Sequence, residues 1–208
     1  MILDVDSTLV TIEGISWLAA RCGEPVRSRV AGVTDAAMRG DISLAGVYAE
    51  RMRLVQPNRD DVDALSQAYI ESLQPRARET IAALQGAGVR VALVSGGLRQ
   101  AVAAVGAHVG IADRDVCGVA VRWDSAGGYA GYDDASPLTR DGGKAVVARD
   151  LSLSAPVLAV GDGMTDAEMK PHVDGFVAFT GTIARERVVA AADAAIASFA
   201  DLRDYVGV

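Results

Sequence analysis

The sequence predicts an α/β protein, a doubly wound core of parallel strands and helices interrupted by a small inserted helical bundle. Three observations predict it. Short apolar runs without polar alternation stand at residues 1–3, 89–94, 156–160 and 175–178, the pattern of strands buried on both faces of a parallel sheet. Helical stretches at 76–85, 98–109, 143–151 and 183–192 fall between and after them, the alternation of a doubly wound fold. Between residues 11 and 74 the alternation stops, with several helical patterns and no convincing strand.

Along the chain, residues 1–3 form the first strand, and Met1 stands so close to Asp4 that this strand has little room unless the natural start is longer. Helices are expected next at 15–22, 25–39, 43–54 and 59–73, with Gly23, Gly40 and Pro57 as breaks. Residues 1–10 and 75–208 then make the core, and 11–74 a helical cap. Residues 119–123 and 129–132 flank the turn-rich 124–128 as a hairpin within 116–132. The alanine-rich 188–197 reads as a good helix former followed by a strand.

A chain of 208 residues, half of them hydrophobic, can bury a full core. Its formal charge of −7 repels phosphate backbones and argues against nucleic-acid or anionic-membrane partners. No apolar run reaches the roughly 18 residues needed to span a bilayer, and no basic, cleavable leader opens the chain, so a cytoplasmic protein is expected. Cys22 and Cys117 are far apart without a CxxC spacing, which fits reduced thiols better than zinc or a disulfide.

Four features carry chemistry. Asp4 and Asp6 follow the first strand, at the carboxyl end where doubly wound sheets bind ligands. Such a pair suits Mg²⁺, which takes hard oxygen ligands, but alone it also fits solvated loop carboxylates. Gly161-Asp162-Gly163-Met164-Thr165-Asp166 ends another strand, where the glycines permit close backbone approach, and where a capping Asp in a turn would look alike. Ser95-Gly96-Gly97 precedes a helix and can meet a phosphate there, or can be a plain turn. Lys144 opens a helix, where a cation opposes the helix dipole and so hints at another purpose.

Taken in order, the run 4–8, Ser95-Gly96-Gly97, Lys144 and 161–166 resembles the four signature motifs of the haloacid dehalogenase (HAD) superfamily. Glu13-Gly14-Ile15, Ala37-Met38-Arg39-Gly40, residues 50–57, Gly142-Gly143-Lys144 and 176–183 are similar to its phosphoserine phosphatase family. The resemblance implies a Rossmann-like HAD core with a helical cap, and a Mg²⁺-dependent hydrolase of phosphoserine acting at the last step of serine biosynthesis. It implies a monomer or homodimer with a small-molecule substrate. Asp4 is then the nucleophile, and the cation joins Asp4, the backbone carbonyl of Asp6 and Asp162. Ser95, Gly96, Gly97, Lys144 and Thr165 meet the phosphate, and Asp166 orients a metal-bound water or Lys144. Asp6 protonates the leaving oxygen and then activates water, which asks for a pKa above its neighbour's. Glu13 and Arg51 take the substrate's ammonium and carboxylate, and Met38 closes the site, with hinges at 11–12 and 74–75. Leu44 and Thr165 depart from the family's common Phe and Asn.

His108 and His172 fall in no motif, and Trp17, Trp123 and Tyr132 read as packing residues. Arg39 and Arg53 read as a solvated helix face. Two other functions compete. A related phosphatase or phosphotransferase for another small phosphomonoester would keep the core acids, and a phospho-accepting signalling domain would have no use for Glu13 and Arg51.

Overall fold

A computed structural model describes residues 1–38 and 43–208, except for the side chains of Asp35, Ala37 and Met38. The expectations placed on Met38 and Arg39 therefore lie outside the described residues. The core is a six-stranded parallel sheet in the order β3-β2-β1-β6-β7-β8. Its strands are β1 (Ile2–Leu3), β2 (Ala92–Leu98), β3 (Val116–Val119), β6 (Leu158–Gly161), β7 (Gly175–Phe179) and β8 (Ala194–Ile196). A separate hairpin pairs β4 (Val121–Trp123) with β5 (Tyr129–Tyr132). Among the described residues, no helix is long and apolar enough to cross a membrane.

β1 is only two residues long, yet it lies between two neighbours, with Leu3 opposite both Leu93 and Val160. Ile2 and Leu3 are fully buried, so the short strand is held by apolar burial on both faces. Beyond it the chain turns sharply through Val5–Leu9, with Ser7 at φ 58°.

Four helices follow before the core resumes: α1 (Gly14–Arg21), α2 (Glu24–Met38), α3 (Leu44–Val55) and α4 (Arg59–Glu71). The starts of α1, α3 and α4 are capped by side chains that accept backbone N–H groups, Glu13 from Ser16, Ser43 from Gly46, and Asn58 from Asp61. The two crossings into and out of this segment lie side by side. Val10 and Leu73 form a bridge, and the Gln74 N–H donates to the Leu9 carbonyl at 2.9 Å. Core helices α5 (Ala77–Gly86), α6 (Arg99–His108), α7 (Gly143–Asp150), α8 (Met164–Ala167), α9 (Glu186–Ala191) and α10 (Phe199–Val206) complete the fold.

The structure departs from the sequence expectations in four places. The strand expected at 89–94 runs instead from Ala92 to Leu98, and a register irregularity between Val94 and Leu98 carries Ser95-Gly96-Gly97. Residues 116–119 are not part of the hairpin but pair with β2 in the main sheet, because Val116 and Val119 are buried against it. The helix expected from 183 starts only at Glu186, with Arg185 extended (φ −103°, ψ 112°) and Ile183 exposed. The closing helix α10 was not expected. Ser198 caps it and Phe199 and Leu202 bury its inner face.

Candidate active site

Asp4 stands where β1 ends, its N–H donating to the Val160 carbonyl at 3.0 Å and its side chain buried. Lys144, in the first turn of α7, reaches it from another element. The Lys144 ammonium donates to Asp4 Oδ1 at 2.6 Å and to Asp166 Oδ1 at 2.7 Å. Burial alone would lower the Lys144 pKa, but Asp166 and Asp4 hold it above its ordinary value. Burial also pushes Asp4 up, against the pull of Lys144. Asp166 rises to about 6, through burial and then the charge of Asp4. One ammonium thus faces two buried carboxylates, which leaves negative charge for a further cation to neutralise.

Asp162 completes the acidic group. Oxygens of Asp4, Asp162 and Asp166 lie within 4.8 Å of one another, all buried. Hard carboxylate oxygens at that spacing can hold a divalent cation, and uncompensated charge there favours one. Asp162 is also approached by Thr8, whose hydroxyl donates to it at 3.2 Å, and by Arg185, which donates to its carbonyl at 3.0 Å and pairs with its carboxylate. Gly161 has to be glycine here, since a Cβ would stand 2.2 Å from Asp166 Cγ.

Asp6 is held differently. Its Oδ1 accepts the Gly14 N–H at 2.7 Å and the Tyr69 hydroxyl at 2.5 Å, and its Oδ2 accepts the Ser95 hydroxyl at 3.2 Å. Burial and the negative charge of Glu13 outweigh these donors and raise its pKa to about 6. A carboxyl poised there can exchange a proton near neutral pH. Ser95 is fully buried and in turn accepts the Gly97 N–H at 2.9 Å.

Glu13 and Arg51 form an ion pair of 2.6 Å, and the same guanidinium donates to Ser16 at 3.2 Å. Burial pushes Glu13 up, but Arg51 and the Ser16 donors hold it below its ordinary value. One cavity of about 220 Å³ joins the two sets of charged groups. Asp4, Asp6, Ser95, Gly96, Gly97, Lys144, Asp162, Thr165 and Asp166 line it, and so do Glu13, Arg51 and Leu44.

Sequence reasoning missed Tyr48, Arg185, Leu138 and Arg140, which line this cavity, and Tyr69, which supports it. Tyr69 lies 63 positions from Asp6, and nothing local pairs them. Arg185 was hidden inside a helix expected one turn too early. Tyr48 carried a signal, since it is three residues before Arg51 on α3 and so shares its face. His108 and His172 are exposed and do not line this cavity, each in the last turn of its helix. Trp123 donates to the Pro57 carbonyl at 3.2 Å, and Tyr132 packs on Tyr48.

The sequence matches the haloacid dehalogenase-like hydrolase family over residues 1–170. It is similar to the phosphoserine phosphatase of Mus musculus, 36% identical over 202 residues that cover 96% of this chain and 89% of that protein. The Homo sapiens phosphoserine phosphatase is 35% identical over the same shares. Among solved structures, a substrate-bound phosphoserine phosphatase complex is 25% identical with a TM-score of 0.78, covering 99% of this chain and 96% of the other. A phosphoserine phosphohydrolase-like protein from Francisella tularensis, 23% identical with a TM-score of 0.87, covers 99% and 98% and shares the fold.

Proposed function

We propose, because this chain belongs to the haloacid dehalogenase-like hydrolases, that it hydrolyses O-phospho-L-serine to serine and phosphate through a phosphoaspartyl intermediate. One observation carries the proposal: the cavity lined by Asp4, Asp6, Ser95 and Lys144 is also lined by the Glu13–Arg51 pair. Phosphoryl transfer needs the first set, and recognition of a zwitterionic amino acid needs the second. A bare phosphate-accepting domain needs only the first.

In the first half-reaction an Asp4 oxygen attacks phosphorus, forming an O–P bond as the P–O bond to serine breaks. Asp6 gives its proton to the departing serine oxygen, which its raised pKa allows. In the second half-reaction Asp6 takes a proton from the water that attacks the phosphoaspartate, and phosphate leaves from Asp4. Lys144, Ser95 and the Gly96 N–H offset charge on the phosphoryl oxygens, the main task in this chemistry. Asp4, Asp162 and the Asp6 carbonyl would hold Mg²⁺, with Asp166 beside it, and the cation supplies neutralisation and alignment of the phosphoryl group. Gly97 and Thr165 border the same phosphate region.

The Glu13–Arg51 pair opens for substrate, whose ammonium replaces Arg51 at Glu13 and whose carboxylate replaces Glu13 at Arg51. Arginine's planar fork suits a carboxylate. The four inserted helices act as a cap, 11–74, over a core of 1–10 and 75–208. Magnesium as the cation, the cytoplasm as the compartment and a monomer or homodimer as the working species complete the proposal. Asp4→Asn is expected to abolish turnover and the acid-labile phospho-enzyme, and normal activity in that variant would overturn the scheme. Arg51→Ala is expected to weaken phosphoserine hydrolysis far more than that of p-nitrophenyl phosphate. Equal losses would move the proposal to another phosphomonoester.

A further inference from the structure

Resting on the substrate reading above and extending it, we infer that Tyr48 is a specificity-determining residue whose hydroxyl, with Arg51 Nε, receives the carboxylate of the amino-acid substrate. Tyr48 and Arg51 lie one turn apart on α3, and both line the cavity that holds Asp4 and Asp6. Tyr48 is only 5% exposed. Among the described residues, its hydroxyl and Arg51 Nε are the two buried side-chain polar atoms without a hydrogen-bond partner. Buried polar groups are otherwise nearly always satisfied, and leaving one unpaired costs stability.

Both atoms are donors. Arg51 has no acceptor at all, and burial pushes the Tyr48 hydroxyl well above its ordinary pKa, so it remains a protonated phenol. Two donors on one helix face call for a ligand with two acceptor oxygens. The other polar parts of phosphoserine are already matched elsewhere in the cavity. Its phosphate meets Lys144 and Ser95, and its ammonium needs an acceptor, which Glu13 supplies. The carboxylate is what remains. Glu13 and Ser16 hold Arg51 Nη2 in the closed pair, and a carboxylate that takes the place of Glu13 there also meets Nε, which lies on the same edge of the guanidinium. The Tyr48 ring does not have to be ordered on binding, because Tyr132 of the hairpin packs on it at 5.2 Å between centroids, tilted by 55°. A preset donor of this kind binds without the cost of fixing a rotamer.

The test is Tyr48→Phe, which removes the hydroxyl and keeps the ring. Steady-state kinetics are compared on phosphoserine, on O-phosphoethanolamine, which lacks the carboxylate, and on 3-phosphoglycerate, which lacks the ammonium. Expected is a loss of about ten- to hundredfold in kcat/KM, carried by KM, on the two carboxylate substrates, with a clearly smaller loss on O-phosphoethanolamine. The metal-free variant is expected to melt no lower than the parent, since an unsatisfied buried hydroxyl has been removed. Equal losses on all three substrates, or no loss on phosphoserine, would overturn the inference while leaving the Arg51→Ala contrast intact. Absence of that Arg51→Ala contrast would instead overturn the substrate reading, and this inference with it.

Discussion

Gly97→Ala tests whether the geometry around Asp6 is as tight as the structure shows. A Cβ at Gly97 would stand 2.8 Å from Asp6 Oδ2, 3.0 Å from Ser95 Oγ and 3.1 Å from the Tyr69 hydroxyl. Carbon contacts sit comfortably at roughly 3.5 Å, so the surroundings would have to open by about half an ångström. None of the three atoms can move alone. Ser95 donates to Asp6 Oδ2, Tyr69 donates to Oδ1, and the Gly97 N–H itself donates to Ser95. Overpacking of this kind costs about 1–3 kcal/mol in stability, a melting-temperature fall of roughly 2–12 °C for a chain of this size. Displacing an acid–base group by up to about 1 Å costs on the order of 100-fold in rate. Gly96→Ala is the comparison, because its Cβ would meet nothing nearer than the Leu138 carbonyl at 3.6 Å and its N–H is retained. Phosphate release and thermal melting read both variants. Gly97→Ala should lose about 100-fold in kcat/KM for phosphoserine, and Gly96→Ala far less. A Gly97→Ala enzyme within about twofold of the parent would refute the claim that this network positions Asp6.

Two further outcomes follow from the same groups. Tyr69→Phe removes a charge-assisted hydrogen bond from Asp6 Oδ1 worth about 1.5–3 kcal/mol, so kcat for phosphoserine should fall roughly 10- to 100-fold. The loss in kcat/KM, which leaves out the second half-reaction common to both substrates, should be smaller on p-nitrophenyl phosphate, since that leaving group departs without a proton, and equal losses in kcat/KM would count against Asp6 as the acid. Asp166 gives a pH dependence. Its folded pKa of about 6 lies above the ordinary 3.8, so its ionisation opposes folding. The penalty is absent below about pH 4, grows between pH 4 and 6, and above that amounts to about 3 kcal/mol for the roughly two-unit shift. In metal-free protein, Asp166→Asn should therefore flatten the fall in melting temperature between pH 4 and 7, and Mg²⁺ should stabilise the parent more at pH 7 than at pH 4. An unchanged pH slope in the variant would remove Asp166 as the source.

The legible parts of the fold were those where burial leaves an unbroken apolar run. β1, β2, β6 and β7 read that way, and Asp4, Ser95 and Asp162 could be placed because each lies at or just beyond the end of such a run. β3 was lost because Cys117 and Gly118 dilute its apolar pattern and no turn signal separates it from β4. Lys144 was legible as an oddity, and the structure supplies the reason. α7 starts after Gly142 in a left-handed conformation with no side-chain cap, and Lys144 turns to Asp4 and Asp166 rather than to solvent. Tyr69 was not legible at all. Its buried position on α4 looks like any core aromatic, and the contact with Asp6 depends on how α4 crosses the core, which no local pattern encodes.

That crossing changes what the helical insert does. Among the described residues, Asp6 Oδ1 takes its two hydrogen bonds from the insert, the Gly14 N–H at the start of α1 and the Tyr69 hydroxyl near the end of α4, while the core supplies only Ser95 on Oδ2. α4 also packs on core helix α6, and its exit is bridged to Val10. A swing of the whole insert about 11–12 and 74–75 would strip Asp6 of two donors each time the cavity opened. Movement confined to α2 and α3 would keep those donors and still separate Arg51 and Tyr48 from Glu13, because both residues ride on α3 and Glu13 precedes α1. The ends of the insert therefore belong with Asp6, and on the proposed mechanism its middle is the part that answers to the substrate. On that division, substitutions at α3 should act on KM and substrate choice, whereas substitutions at Gly14 and Tyr69 should act on kcat.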